Sequence, residues 1–140
     1  MKKQQLDKAI KLAVETHFGQ TDKGGEVYIL HPLRVMMSVN TEEEKIVAVL
    51  HDVVEDSACT LSELESKGFS REVVDAVDAL TRRSDEDYQC FIERVSLNPL
   101  ARKVKIQDIR DNLDVTRLSS ISSKDTARIQ KYHQALKMLT

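Results

Sequence analysis

Apolar residues recur along this chain at three- and four-residue spacing, the period of an amphipathic helix. In "LDKAIKLAVETHF" that spacing places Leu6, Ile10, Ala13, Val14 and Phe18 on one face. "GQTDKGGE" then interrupts the pattern with glycines, and "VYIL" is too short to imply a sheet. His31-Pro32 opens a new segment, with Pro32 suited to a first helical position, and "LRVMMSV" carries it to Asn40 or Thr41. Thr41 followed by Glu44 has the form of a capping box and predicts a helix through "EEEKIVAVLHDVVED". Thr60 with Glu63 repeats the signal before a short helix closing at Gly68. Ser70 caps "REVVDAVDALT", and "EDYQCFIERVS", "PLARKVKIQDIRDNLDV" and "SKDTARIQKYHQALKMLT" supply the remaining helices. The pattern predicts an all-α, single-domain bundle over residues 1–140, of about seven or eight helices joined by short connections.

Composition fits a folded chain. Hydrophobic residues make up 41% and charged residues 31%, a balance unlike that of disordered segments. The 140 residues are enough to bury a core without staples. A net charge of -2 provides no basic field for nucleic acid or an anionic membrane. An anionic substrate must therefore be met by a local site. Cys59 and Cys90 belong to no CxxC pair, which argues against a zinc ribbon or redox dithiol and fits free thiols in a reducing cytoplasm. "MKKQQLDKAIKLA" lacks the apolar run of a signal peptide, and no stretch approaches the roughly 18 apolar residues of a membrane span. A cytoplasmic chain with no nucleic-acid or membrane partner is expected; nothing in the sequence sets its oligomeric state.

One stretch departs from this ordinary pattern. "LHDVVEDSACT" holds His51, Asp52, Glu55 and Asp56 within six positions, directly after the apolar "IVAVL". On a continuous helix His51 and Glu55 are one turn apart, as are Asp52 and Asp56, on stripes about 100° from each other. Such groups usually just solvate a helix face. Inside the most apolar part of the chain they need partners, since unpaired burial costs several kcal/mol each. A divalent cation is an economical partner. His31 in "YILHPL" and Asp108 in "KVKIQDIRDNLDV" are further candidate ligands. Taken singly, His31 also reads as a capping or core histidine and Asp108 as part of a charged helix face. Together the four form a His₂Asp₂ set of nitrogen and oxygen donors, which suits Mn²⁺, Fe²⁺ or Zn²⁺.

The order His31, His51-Asp52, Asp108 resembles the HD superfamily of metal-dependent phosphohydrolases. Within it, "THFGQTDKGGEVYILHPLRV", "VAVLHDVVEDS" and "VKIQDIRDNLD" are similar to the hydrolase domain of the Rel/Spo alarmone enzymes and of small stand-alone alarmone hydrolases. The resemblance spans residues 13–115. It implies an HD-type helical domain with Mn²⁺ held by His31, His51, Asp52 and Asp108. It places Glu55 and Asp56 beside the attacking water, and Lys23 and Asn112 on a small-molecule nucleotide. The implied reaction is hydrolysis of the 3′-pyrophosphate of ppGpp or pppGpp, releasing pyrophosphate. With 140 residues, no synthetase domain is expected.

Several positions depart from the family pattern. Asp22 stands where the family has an arginine before Lys23; a carboxylate cannot stack on a base and repels phosphate. Val27 replaces proline before Tyr28, Gln107 replaces alanine, and Asp111 replaces histidine. Two alternatives therefore stay open: an HD phosphohydrolase acting on another phosphorylated nucleotide, and a non-catalytic nucleotide-sensing module. Arg82, Arg83 and Tyr88 either line the phosphate side of the cleft or form a solvated basic turn with a half-buried tyrosine.

Overall fold

The computed structural model describes residues 2–140. Its organising element is α3 (Glu42–Leu50), in which Ile46 through Leu50 are all buried. A helix apolar all round belongs inside a bundle, and α3 is packed by α1 (Lys2–His17), α2 (Leu30–Met37), α6 (Arg71–Leu80) and α8 (Pro99–Asn112). The expected capping box starts it: Thr41 Oγ1 accepts the Glu44 N–H at 3.1 Å, and Glu44 Oε1 accepts the Thr41 N–H at 3.2 Å.

The helix does not continue through the "HDVVED" stretch. It ends at Leu50, turns at His51-Asp52, and resumes as the single-turn α4 (Val53–Asp56). Two features break it. His51 Nδ1 donates to the Ala48 carbonyl at 2.5 Å, an acceptor that a continuous helix offers to the Asp52 N–H. Asp52 itself sits at φ −103°, ψ 0°, in the sparsely populated bridge region common at active sites. The four ionisable groups are therefore not arrayed on one helical face as the spacing predicted.

α1 is rotated relative to its expected face. Ala9, Ala13 and His17 are buried, whereas Val14 and Phe18 are exposed. Two alanines without side chains beyond Cβ let α1 lie close against α3, and His17 extends that stripe by one turn. α2 begins at Leu30, before His31-Pro32, so Pro32 is its third residue rather than its first. The ring is tolerated because the first four N–H groups of a helix lack intrahelical partners anyway. α2 also ends at Met37, short of the expected Asn40 or Thr41.

The remaining helices follow their sequence signals. Thr60 caps α5 (Leu61–Ser66) through the Glu63 N–H, and Gly68 follows at φ +92°, a backbone state that only glycine adopts without cost. Ser70 caps α6, Asp87 caps α7 (Tyr88–Ser96), and Asn98 caps α8 with Pro99 at its start. After a 3₁₀ turn at Val115–Arg117, Ser122 and Asp125 form the capping box of α9 (Ser123–Leu139). Nine α-helical segments thus form among the described residues, eight of them six residues or longer, matching the expected all-α class. An isolated bridge between Thr21 and Val27 is the extent of β pairing among these residues. No helix in them is long and apolar enough to cross a membrane.

Candidate metal centre

Three elements bring the chemistry together. α2 supplies His31, the break after α3 supplies His51 and Asp52, and α8 supplies Asp108. His31, His51 and Asp108 are buried, and each offers a ligand atom within 4.8 Å of the others. His31 Nε2 lies 2.8 Å from Asp108 Oδ1, and His51 Nε2 lies 3.4 Å from the same oxygen. Asp52 Oδ2 stands 3.2 Å from His51 Nε2, but the set whose ligand atoms all lie within 4.8 Å of one another is His31, His51 and Asp108, without the expected Asp52. Ligand atoms about 2.0–2.2 Å from one ion lie roughly 3 Å apart when adjacent, so the separations among His31, His51 and Asp108 suit a shared cation.

The histidines carry a more specific sign. With Nδ1 donating to the Ala48 carbonyl, His51 turns Nε2 into the cluster as a lone pair. That buried nitrogen has no aligned hydrogen-bond partner despite the two carboxylates near it. A neutral imidazole fixed through one nitrogen and free at the other is the usual form of a metal-ligating histidine. His31 Nδ1 is held against Asp111 Oδ2 at 2.6 Å, and its Nε2 faces Asp108 Oδ1 at 2.8 Å.

Electrostatics point the same way. Burial disfavours the imidazolium form of His31, but Asp108 and Asp111 outweigh it and raise the group above its ordinary range. Burial of His51 is likewise overcome by Asp52 and Asp108. Burial also opposes ionisation of Asp108, yet Lys105 and the two histidines hold its carboxyl well below the usual carboxylate range. The carboxylates thus demand positive charge at one point. A divalent cation supplies it in place of protons on the two imidazoles. The donor set of two imidazoles and carboxylate oxygens fits such an ion.

Supporting residues surround these groups. Tyr28 donates its O–H to Asp52 Oδ2. Lys105, one turn before Asp108, donates to Asp108 Oδ2 at 2.9 Å, leaving Oδ1 to face the histidines. Asn112 Nδ2 donates to Asp108 Oδ1 at 3.2 Å. Asp111 accepts from Arg34 Nε at 2.8 Å as well as facing His31, and these partners hold its carboxyl below the ordinary range in spite of burial. Sequence reasoning treated Asp111 only as a departure from a family pattern and gave Lys105 no role. The signal for both was their spacing, three residues on either side of Asp108 on one helix. Nothing in the sequence showed that Arg34 would reach Asp111, because 77 positions separate them.

Glu55 and Asp56 occupy the rim. Glu55 Oε1 accepts the Arg82 N–H at 2.6 Å. Asp56 Oδ2 lies 3.9 Å from Nδ1 of buried His17. Burial, with the nearby Asp52 charge, pushes both carboxyls above their ordinary values.

A cleft of about 360 Å³ opens beside the cluster, lined by residues that include Lys23, Tyr28, His31, Arg34, Asn112 and Tyr132. Asp22 lines it too, but its Oδ1 accepts the N–H groups of Gly24 and Glu26 at 2.9 and 3.0 Å. One oxygen of this carboxylate closes the loop, a task the sequence comparison with the family arginine did not suggest. The loop completes its turn at Gly25, with φ +85°.

No protein-family model matches the chain. It is similar to the guanosine-3′,5′-bis(diphosphate) 3′-pyrophosphohydrolase of Aquifex aeolicus, at 30% identity over 122 residues, 79% of this chain and 17% of that protein. It is also similar to the bifunctional (p)ppGpp synthase/hydrolase SpoT of Escherichia coli, at 33% identity over 81 residues, 55% of this chain and 11% of that one. The chain thus spans less than a fifth of the length of these relatives. A solved structure described as a metazoan ortholog of SpoT that hydrolyzes ppGpp matches with a TM-score of 0.76 at 22% identity, covering 95% of this chain and 85% of that one. The chain accordingly has the fold of that SpoT ortholog and is similar in sequence to part of the SpoT/Rel 3′-pyrophosphohydrolases.

Proposed function

We propose that residues 1–140 form one HD-type domain that hydrolyses the 3′-pyrophosphate of ppGpp, pppGpp or a closely related nucleotide in the cytoplasm, using Mn²⁺ or another divalent transition metal. The observation that carries this reading is the buried His31–His51–Asp108 cluster with the unpartnered His51 Nε2 beside a cleft of about 360 Å³. The likeness to 3′-pyrophosphohydrolases supports the substrate class.

In this reading His31, His51, Asp52 and Asp108 hold the cation. Once bound, it offsets charge on a phosphoryl oxygen and acidifies water. Tyr28, Lys105, Asn112 and Asp111 fix the ligands in place. Lys23 meets phosphate as a mobile point charge, and Asn112 borders the nucleotide. Glu55 and Asp56 hold the attacking water and accept its proton. The water oxygen bonds to phosphorus of the 3′-pyrophosphate as the bond to the nucleoside 3′-oxygen breaks. The proton ends on that oxygen, leaving GDP or GTP and pyrophosphate.

The test is a panel of phosphorylated nucleotides incubated with Mn²⁺-loaded protein, with pyrophosphate and orthophosphate measured separately. Pyrophosphate release from ppGpp is expected. Orthophosphate release from another nucleotide, with ppGpp untouched, would replace this reading by the other phosphohydrolase one. Asp22 sets how well ppGpp binds. Asp22→Asn keeps the Oδ1 acceptor that closes the loop and removes the charge, so a several-fold lower KM is expected, the effect of about 1 kcal/mol.

A further inference from the structure

His17 closes α1 with its ring turned inward and buried, yet it belongs neither to the convergent ligand set nor to the lining of the cleft. The chain that follows folds back onto this residue. Gly19 takes φ +84°, a left-handed state that glycine adopts without cost. The turn returns Gln20 to the helix end, where its N–H donates to the His17 carbonyl at 3.0 Å.

Two hydrogen bonds decide which ring nitrogen carries a hydrogen. Gln20 Nε2 donates to the Thr16 carbonyl at 3.4 Å. A carbonyl only accepts, so the amide nitrogen faces Thr16 and the amide oxygen faces the imidazole. Gln20 Oε1 lies 3.1 Å from His17 Nδ1, and Nδ1 is therefore an N–H donor. The other ring nitrogen, Nε2, is buried and has no hydrogen-bond partner. The ring is thus oriented by its Nδ1 side alone, at the cost of a polar atom left unmade.

Besides Gln20, Nδ1 faces Asp56, whose Oδ2 lies 3.9 Å away. The pair joins the interior to the rim, since the imidazole is 0% exposed and the carboxylate 37%. The two rim carboxylates are held differently. Glu55 Oε1 accepts the Arg82 N–H at 2.6 Å. Asp56 has His17 as its one ion-pair neighbour among the described residues. At 3.9 Å the contact is longer than a hydrogen bond, and about 1 Å of travel closes it to the usual 2.7–3.2 Å. The exposed carboxylate is free to make that movement, and the buried ring is not. Hydrogen bonds of catalytic groups are often long in the unliganded protein and tighten when substrate binds.

We propose that His17 is a positioning residue: its Nδ1–H captures Asp56 Oδ2 in the substrate complex and leaves Oδ1 turned toward the attacking water. The inference rests on the reading of Asp56 as a carboxylate that holds this water and accepts its proton. His17 keeps its own hydrogen throughout. The water's proton passes by way of Asp56 to the leaving 3′-oxygen.

The test is steady-state kinetics of the Mn²⁺-loaded full chain on the nucleotide it hydrolyses, with metal content measured for each variant. An asparagine amide reaches about as far as Nδ1 and a glutamine amide about as far as Nε2; leucine has no donor. His17→Leu is expected to lower kcat about tenfold with KM within about twofold. His17→Gln should lose as much, and His17→Asn should recover most of the loss. Metal content of all three is expected to be unchanged. In an Asp56→Asn background His17→Leu should cost less than about twofold, because the carboxylate through which it acts is already gone. A Tyr28→Phe background probes the ring's other neighbour, 4.9 Å away between centroids, and should leave the tenfold cost in place. Crystals grown with Mn²⁺ and pyrophosphate read the geometry without turnover: Asp56 Oδ2 is expected about 2.7–3.2 Å from His17 Nδ1. The proposal is overturned if His17→Leu keeps full kcat, if its loss and that of Asp56→Asn multiply, if Asn rescues no better than Gln, if metal is lost, or if Asp56 turns away from His17 in those crystals. Should His17→Leu not fold, the contrast between Asn and Gln decides. Asp56→Asn at full rate overturns the role of Asp56 itself and this inference with it. A slow Asp56→Asn beside a fully active His17→Leu overturns the positioning role alone.

Discussion

At its N-terminal end α3 buries Glu44, and just past its C-terminal end the chain buries His51. Both are buried ionisable groups at the ends of the same apolar helix, yet their surroundings differ. Glu44 Oε1 accepts two backbone N–H groups, from Asn40 and Thr41, and Oε2 faces Lys103 at 3.4 Å. Every oxygen has a partner, the helix start is regular, and the carboxyl is held below its ordinary value against the opposing effect of burial. At the other end the helix is broken, Asp52 occupies a sparse backbone region, and His51 Nε2 has no aligned partner. A buried charge whose oxygens are all partnered, here by the backbone of its own helix start and by Lys103 of α8, holds the fold. One whose bonds are incomplete, and whose neighbours come from distant parts of the chain, is poised for something the chain itself does not provide.

Cavity size does not track this distinction. The larger hollow, about 650 Å³, lies at the N-terminal end of α3, lined by Glu42, Glu43, Glu72, Asp75 and others. The smaller one adjoins the histidines. Among the described residues, the convergent set of potential metal ligands is His31, His51 and Asp108, and this chemistry, not volume, places the candidate site.

The comparison can be broken first at its functional end. Asp108→Ala is expected to abolish both metal binding and turnover, read by metal analysis and by pyrophosphate release, because the other ligands then lose the oxygen they share. Retention of a stoichiometric ion would show that the cluster is structural. Next, Glu55→Gln and Asp56→Asn should keep the metal and lose about 10²–10⁴-fold in turnover if they move protons. Full activity in both variants would leave the two carboxylates as rim charges.

A smaller effect is expected one layer out. Asp111→Asn keeps the shape against Arg34 and His31 but removes the charge, and it should weaken Mn²⁺ affinity by about 10–100-fold, the usual cost of losing a ligand's outer partner. A direct metal titration reads it, independently of catalysis. The smallest effect belongs to the structural end. Glu44→Ala should leave metal content unchanged and cost about 1–2 kcal/mol of stability at neutral pH through loss of the cap. Because the folded-state pKa of Glu44 lies below its ordinary 4.5, its stabilisation is present above that value and is lost as pH falls through the folded-state pKa. The gap in thermal unfolding between wild type and variant should therefore narrow on acidification below 4.5. A gap that widens there would show that Glu44 is not held as a carboxylate.

Much of this molecule was legible before any coordinates. Helix starts at Thr41, Thr60 and Ser70, and the helix-opening Pro99, follow from local chemistry, since a cap is a bond between a side chain and a backbone group three residues away. The candidate ligands His31, His51, Asp52 and Asp108 were legible as residue types in a recognisable order, because ligand identity is written in the side chain. Tertiary structure decided what depends on distant partners. It turned His17 inward and Phe18 outward, because close packing of Ala9 and Ala13 on α3 fixes the rotation of α1. It ended α3 at Leu50, because the His51 ring claims the Ala48 carbonyl. It made Asp111 the partner of His31 and Arg34, and it paired Arg83 with Asp78 while Arg82 turned its Nε to the Glu86 carbonyl. Periodicity and capping report bonds made within a turn or two of helix. Which buried donor finds an acceptor, and which is left for a ligand, is settled only when segments tens of residues apart pack against one another.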